Sequence, residues 1–203
     1  MEGVFHAIQS LLIPMQRVSL QAPGALILLL ALGWISSGRV HAATYTLLDL
    51  GTFSDQAGRT ESQPAGINNL GAVVASNLRS GNYRALLYGG AWTNLGTLGG
   101  YESFGLGIND SGAVVGYSLN TDGFNRAFLW TANGTNGPAG NPRMKDLGTL
   151  GGDESTATAI NEAGQITGFA QTTSLDHAFV YSGGVMKDIG GLIKNLPNSY
   201  GQG

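Results

Sequence analysis

Gly107-Ile108-Asn109-Asp110-Ser111-Gly112-Ala113-Val114-Val115-Gly116 reads as a β-hairpin, and related stretches stand on either side of it. One is Gly66-Ile67-Asn68-Asn69-Leu70-Gly71-Ala72-Val73-Val74-Ala75, the other Ala159-Ile160-Asn161-Glu162-Ala163-Gly164-Gln165-Ile166-Thr167-Gly168. In each, an apolar residue ends a strand, Asn opens a turn, Gly closes it, and an apolar or β-branched pair starts the return. Asn bonds its own backbone and tolerates the left-handed region, and Gly accepts positive φ without steric cost. That chemistry predicts a four-residue loop built on a type I turn.

Working outward, two further segments recur. One is Arg84-Ala85-Leu86-Leu87-Tyr88, then Arg126-Ala127-Phe128-Leu129-Trp130, then His177-Ala178-Phe179-Val180-Tyr181. The other is Trp92-Thr93-Asn94-Leu95-Gly96-Thr97, then Met144-Lys145-Asp146-Leu147-Gly148-Thr149, then Val185-Met186-Lys187-Asp188-Ile189-Gly190. Glycines at 51, 96, 148 and 190 mark spacings of 45, 52 and 42 residues, in the range of repeat architectures. The longest spacing contains Thr131 to Pro142, a Gly/Asn/Pro loop.

Each unit thus predicts four short strands; in the middle one they are 104–109, 113–119, 126–130 and 144–149. The reading is all-β, with four-stranded antiparallel units at about 66–97, 104–149 and 156–190, and a lone strand at 45–51. A four-stranded meander of this period suits propeller-like blades. Three such units make an incomplete or open array; a β-trefoil or β-prism also fits a threefold repeat. One unit alone cannot bury its faces, so neighbours must stack.

Composition agrees with tight turns between short strands: 33 of 203 residues are Gly and only 11% are charged. A net charge of −3 gives no basic footprint for nucleic acid. With no Cys there is no disulfide framework, thiolate metal site or cysteine nucleophile.

Residues 1–42 belong to another class. Arg17 precedes the apolar run Ala25 to Leu32, and Val40-His41-Ala42 ends in small residues at a cleavage position. This pattern predicts a secretory signal peptide, with residues 43–203 as the working domain. The run is shorter than the about 20 apolar residues that span a bilayer, so contact with membrane is expected only through the signal sequence. Met15 is an alternative start to Met1, and the chain also reads as a short member of a longer repeat protein.

The set Asp146-Leu147-Gly148-Thr149-Leu150-Gly151-Gly152, Ile160-Asn161 and His177-Ala178-Phe179 resembles the HAF repeat, a family of extracellular bacterial repeats. Leu95-Gly96-Thr97-Leu98-Gly99-Gly100, Ile108-Asn109 and Ala127-Phe128-Leu129-Trp130 carry the same resemblance, which extends over about residues 48–191. Departures are Arg84 and Arg126 in place of His, and Thr52-Phe53 in place of the double Gly. The resemblance implies export and a β-rich repeat fold, and supplies no catalytic residues.

Among candidate sites, Glu61-Ser62, Glu102-Ser103 and Glu154-Ser155 precede each Ile-Asn by a fixed distance. If the linkers meet at a channel mouth, Glu61, Glu102 and Glu154 form a shared ligand-binding set that water or a hard cation such as calcium would bridge. The structural alternative is that each pair caps amides of its neighbouring Gly-rich turn. His177, the sole His beyond the cleavage position, matches Arg84 and Arg126, which speaks for a long polar group at a strand start rather than a triad base. One His without Cys is too little for a transition-metal site; no metal, cofactor or catalytic residue is expected. Trp92, Trp130, Tyr88 and Tyr181 suit inter-sheet packing better than sugar stacking.

These observations give a secreted β-repeat protein, extracellular or on the cell surface, acting as a binding or structural module without catalytic activity. Its expected partner is a protein or glycan, and an oligomer is compatible. The long loops Ser54–Gln63 and Thr131–Pro142 are the expected places for partner contacts. The alternatives are a lectin-like carbohydrate binder, which needs exposed Trp92 and Trp130, and an extracellular hydrolase built on Asp153 and Glu154.

Overall fold

The computed structural model describes residues 46–50 and 61–190. Residues 46–50 fall in a separate compact unit from the rest. They form no strand, and Leu47 and Leu48 are exposed, so the lone strand expected at 45–51 is absent over 46–50. The pattern of Tyr45 to Leu50 is a weak signal, since a single short strand is not stable by itself. The signal peptide expected at 1–42 and most of the loop Ser54–Gln63 lie outside the described residues.

Residues 61–190 form three antiparallel sheets of four strands, without helix among the described residues. The first contains β1 (Ser62–Ile67), β2 (Val73–Arg79), β3 (Asn82–Tyr88) and β4 (Trp92–Asn94). The second contains β5 (Gly99–Ile108), β6 (Val114–Asn120), β7 (Asn125–Trp130) and β8 (Met144–Asp146). The third contains β9 (Ser155–Ile160), β10 (Ile166–Gln171), β11 (Asp176–Ser182) and β12 (Val185–Asp188). Every sheet is a meander, each strand pairing with its neighbours in sequence.

The predicted hairpin turn forms in all three units. The amides of Gly71, Gly112 and Gly164 donate to the carbonyls of Asn68, Asn109 and Asn161 at 3.0–3.1 Å. The closing glycines have φ of 77°, 76° and 74°, which an L side chain adopts only at a cost. The Asn side chain fixes each turn further: its Oδ1 accepts from the amides of Ala72, Ala113 and Gln165 at 2.8–3.0 Å.

The correspondence extends to irregularities. Between the first two strands of each sheet the register slips by one residue, at Ala65, Leu106 and Thr158. A bulge shared at corresponding positions is a built feature of the repeat rather than an accident of one copy.

Sheets stack through their first strands. β5 packs on β1, β2 and β3, and β9 packs on β5, β6 and β7. Two apolar cores result. Val74, Ala85, Leu95, Val114, Phe128 and Met144 belong to one, where the first sheet meets the second; Val115, Ala127, Ala157, Ile166 and Phe179 belong to the other. Phe128 and Phe179, at matching positions, are fully buried, each contributing about 2–3 kcal/mol of transfer free energy.

Two expected boundaries move. The strand expected at 104–109 begins at Gly99, and that at 144–149 ends at Asp146. After Asp146 and Asp188 the chain turns instead, as the carboxylate Oδ1 accepts from the amide two residues on, at Gly148 and Gly190.

Candidate functional site

The residues that recur most faithfully turn out to join one unit to the next. Ser103 and Ser155, the serines of the Glu-Ser pairs, are fully buried. Ser103 Oγ accepts from the amide of Ala85 at 3.0 Å and donates to the carbonyl of Gly96 at 2.6 Å. Ser155 repeats this with Ala127 at 2.9 Å and Gly148 at 2.6 Å. Each hydroxyl satisfies two main-chain groups of the preceding unit, which burial would otherwise leave at a cost of about 1–3 kcal/mol each. The capping expected of these serines therefore acts between units rather than within one turn.

The basic position at the start of the third strand behaves likewise. Arg126 pairs with Asp146 at 3.3 Å and its Nη1 donates to the carbonyl of Asp153 in the next unit. Arg84 reaches the carbonyl of Tyr101, the matching residue one unit earlier. His177 Nδ1 lies 2.8 Å from Asp188 of the adjacent strand. This is the strand-start polar role the comparison with Arg84 and Arg126 anticipated.

Glu61, Glu102 and Glu154 do not come together in a metal-holding group; among the described residues no cluster of three or more His, Cys, Asp or Glu is placed to bind an ion. The reason lies in the stacking, which spaces the three linkers along the array. Glu61 Oε2 accepts from the Tyr83 hydroxyl at 2.9 Å, and Glu102 Oε1 stands 3.4 Å from the Tyr83 amide. These contacts, with burial, hold the Tyr83 phenol above its ordinary value of 10.0, the Glu61 bond being the largest cause. Tyr117 is also raised, by burial first and then by the Glu102 charge.

Glu154 differs. Its carboxylate makes no hydrogen bond or ion pair among the described residues, and it lines a cavity of about 410 Å3 with Leu106, Tyr117, Asn125, Thr156, Phe169 and Asp176. The cavity has a physical origin in the repeat. Where the first sheet meets the second, Tyr83, Phe104 and Tyr117 stack with ring centroids 4.8 Å apart at both steps. One unit later Asn125 stands in place of Tyr83 and Thr156 in place of Phe104. Two aromatic rings are thus exchanged for short polar side chains, and the space they would fill is open.

Sequence reasoning missed Asn125, Tyr117, Phe169 and Asp176. The signal was present as a departure from the repeat: the residue before Arg84, Arg126 and His177 is Tyr, Asn and Asp in turn. Of the aromatics considered for sugar stacking, Trp130 and Tyr181 are buried, and Tyr181 takes a 2.6 Å bond from Lys145 Nζ. Trp92 is half-buried against Tyr88, 5.2 Å between centroids.

The loop 131–142 is pinned rather than free. Asn141 Nδ2 donates to the carbonyls of Leu95 and Thr97 at 2.8 and 3.2 Å, tying it to the segment that follows the first sheet. Compared with protein-family models, with curated proteins and with solved structures, the chain matches none.

Proposed function

We propose that this chain is an exported, non-catalytic binding or structural module of HAF-type repeats, acting outside the cell or on its surface. In this reading the three sheets are blades of a propeller-like open array, with β1, β5 and β9 nearest the axis. The adjacency of those first strands and the common bulge support that arrangement.

The observation that carries the functional reading is how the repeated polar residues are used. Ser103, Ser155, Asn109 and Arg126 each make at least one hydrogen bond to the neighbouring unit. A chain whose recurrent chemistry is given to holding a rigid stack presents ligands on the variable positions left over. Asp153 and Glu154, the pair proposed for a hydrolase, have separate surroundings: Asp153 is exposed beside Gln171 and Glu154 lines the cavity. The lectin-like alternative loses Trp130, which is buried.

Expression of the full chain with a C-terminal tag in a bacterial host tests the reading. A product in the extracellular or surface fraction, with a mass that begins at Ala43 and no turnover across a hydrolase substrate panel, is expected. Retention of the uncleaved chain in the cytosol, or turnover lost on Glu154→Gln, overturns it.

A further inference from the structure

The row of Asn turns has two ends, and what one end lacks the other offers. At the start, the Asn68 carbonyl accepts only from Gly71 of its own turn among the described residues. The Asn109 and Asn161 carbonyls each accept a second bond, from the Asn one unit earlier. Ile67 and Leu70 beside Asn68 are 69% and 78% exposed, although Ile108 and Ile160, the counterparts of Ile67, pack against the cores between sheets. At the far end, Asn161 Nδ2 bonds to the side chain of exposed Gln165, and the Glu162 amide has no acceptor among the described residues. The equivalent amides of Asn69 and Asp110 donate to the carboxylates of Asp110 and Glu162 in the next unit. Beside this last turn a groove of about 330 Å3 is lined by Thr167 and Val180. Val180 holds the place of Leu87 and Leu129, which pack against the cores between sheets.

We infer that the Asn161 turn of one chain docks on the Asn68 turn of a second copy, end to start. The occupant is a second copy because the two surfaces are the two halves of an interface that the chain already makes twice within itself. Asn161 Nδ2 exchanges Gln165 for the main-chain carbonyl of the copy's Asn68, and the Glu162 amide donates to the Oδ1 of its Asn69. Asn69 is neutral where the other two turns carry Asp110 and Glu162, so the meeting sets no third like charge beside them. Ile67 of the copy covers Val180 and its Leu70 covers Ala163, which removes apolar surface from water. Ala159 carries a methyl group where Gly66 and Gly107 have none. A Cβ at Gly107 would already stand 3.2 and 3.3 Å from main chain of the next unit, so Ala159 holds the copy's strand off and the turns carry the contact. A contact that small falls below the about 1,000 Å2 of stable complexes and is transient. It is also heterologous, and continues into a ring or a row of copies rather than stopping at a pair. The inference rests on the reading of the chain as a binding or structural module and names the partner of that module.

The test exploits the absence of Cys from the chain. Leu70→Cys marks the first turn and Ala163→Cys the third, both at exposed positions. Full chains of the two variants, distinguished by mass, are mixed and treated with a short thiol–thiol cross-linker, and the dimers are counted by mass spectrometry. End-to-start docking gives the mixed dimer in excess over random pairing, with both same-site dimers depleted. Ile67→Lys in the Leu70→Cys chain loses that excess. Gln165→Ala in the Ala163→Cys chain releases Asn161 Nδ2 and raises the excess several-fold. A β-rich circular dichroism spectrum for each variant separates loss of docking from loss of fold. Random pairing at chain concentrations up to about 1 mM, where even a contact worth about 4 kcal/mol is half formed, overturns the inference. An excess of either same-site dimer overturns it as well, as does a mixed excess indifferent to Ile67→Lys. An excess that arises only after removal of residues 191–203 assigns the groove to the chain's own tail and likewise overturns it. None of these outcomes bears on export or on the lack of turnover, so the two readings fail separately.

Discussion

The Nδ2 of Asn109 lies 3.1 Å from the main-chain carbonyl of Asn161, the residue that holds the same place in the next unit. Asn68 makes the same bond to Asn109 at 3.0 Å. Each Asn therefore does two jobs: its oxygen closes its own turn, and its nitrogen holds the following turn. Alongside runs a second ladder, in which Asp110 accepts from the Asn69 amide at 2.8 Å and Glu162 accepts from the Asp110 amide at 2.9 Å. Asn161 has no following unit among the described residues, and its Nδ2 turns to Gln165 at 2.8 Å.

Substituting these residues separates the two jobs. Asn109→Ala removes a turn cap and an inter-unit bond at a buried position, and costs about 2–3 kcal/mol. Asn161→Ala removes the cap and an exposed side-chain contact, and costs about 1 kcal/mol. Urea unfolding of the two variants checks this; equal losses would show that the bond to Asn161 adds nothing.

The buried serines allow a sharper comparison. Ser155→Ala strips a hydroxyl that serves Ala127 and Gly148, both main-chain groups of the preceding unit. The expected loss is about 2–4 kcal/mol, and Ser103→Ala behaves the same within error. Cysteine at either site restores part of the loss at most, being a weak donor. A loss below about 0.5 kcal/mol in both alanine variants would remove the serines from the account of how units adhere.

Much of this fold was legible because turns carry their chemistry locally. Asn109 and Gly112 announce a hairpin whatever surrounds them, and three copies announce three sheets. The bond from Ser103 to Ala85 was not legible, since it depends on which residue of one unit faces which residue of the next. The same limit hid the cavity. Glu154 was named as a candidate because it recurs, yet what sets it apart is that its neighbour at 125 is Asn where the first unit has Tyr83. A repeat displays its consensus in sequence; a site made by breaking that consensus shows only once units are stacked. Over 46–50 the expected strand does not form, because a run this short does not make a strand by its pattern alone.

Alkaline titration reports on the aromatic stack. The phenols of Tyr83 and Tyr117 are both raised above 10.0 in the folded chain. A raised value means that the fold favours the neutral phenol. That contribution is full below about pH 10, where the unfolded chain also keeps its phenols neutral, and is lost as pH climbs through the folded values. Urea midpoints are therefore expected to fall as pH rises above about 10, more gently in Tyr117→Phe than in the parent. An unchanged slope in that variant would clear Tyr117 of any part in the alkaline loss.

The double glycines make a conformational prediction. A Cβ on Gly152 would press on the carbonyl oxygen of Thr172 and the side chain of Gln171, where β10 ends. Gly152→Ala is expected to cost at least about 2 kcal/mol, since main chain must move. Gly184, in the last hairpin with φ of 86°, has open space around it, so Gly184→Ala costs only the backbone penalty of about 1–2 kcal/mol. Thermal unfolding ranks the pair, and the reverse order would mean that the approach of Gly152 to Thr172 is relieved without cost.

The last prediction concerns what the cavity costs the protein. The pair of interfaces is a natural control, because Tyr117 takes part in both: it stacks on Phe104 at 4.8 Å in one and lines the cavity in the other. Filling the second interface as the first is filled, with Asn125→Tyr and Thr156→Phe together, adds two rings to existing space. A gain of about 1–2 kcal/mol is expected, within the range of cavity-filling changes. The converse pair, Tyr83→Asn with Phe104→Thr, opens the first interface and costs about 3–5 kcal/mol, as large-to-small changes in packed aromatic clusters do. Denaturant unfolding of both double variants decides the point. If refilling destabilises the chain, the open space is required for packing; if it stabilises, the space is kept at the expense of stability, which is what a ligand site would require.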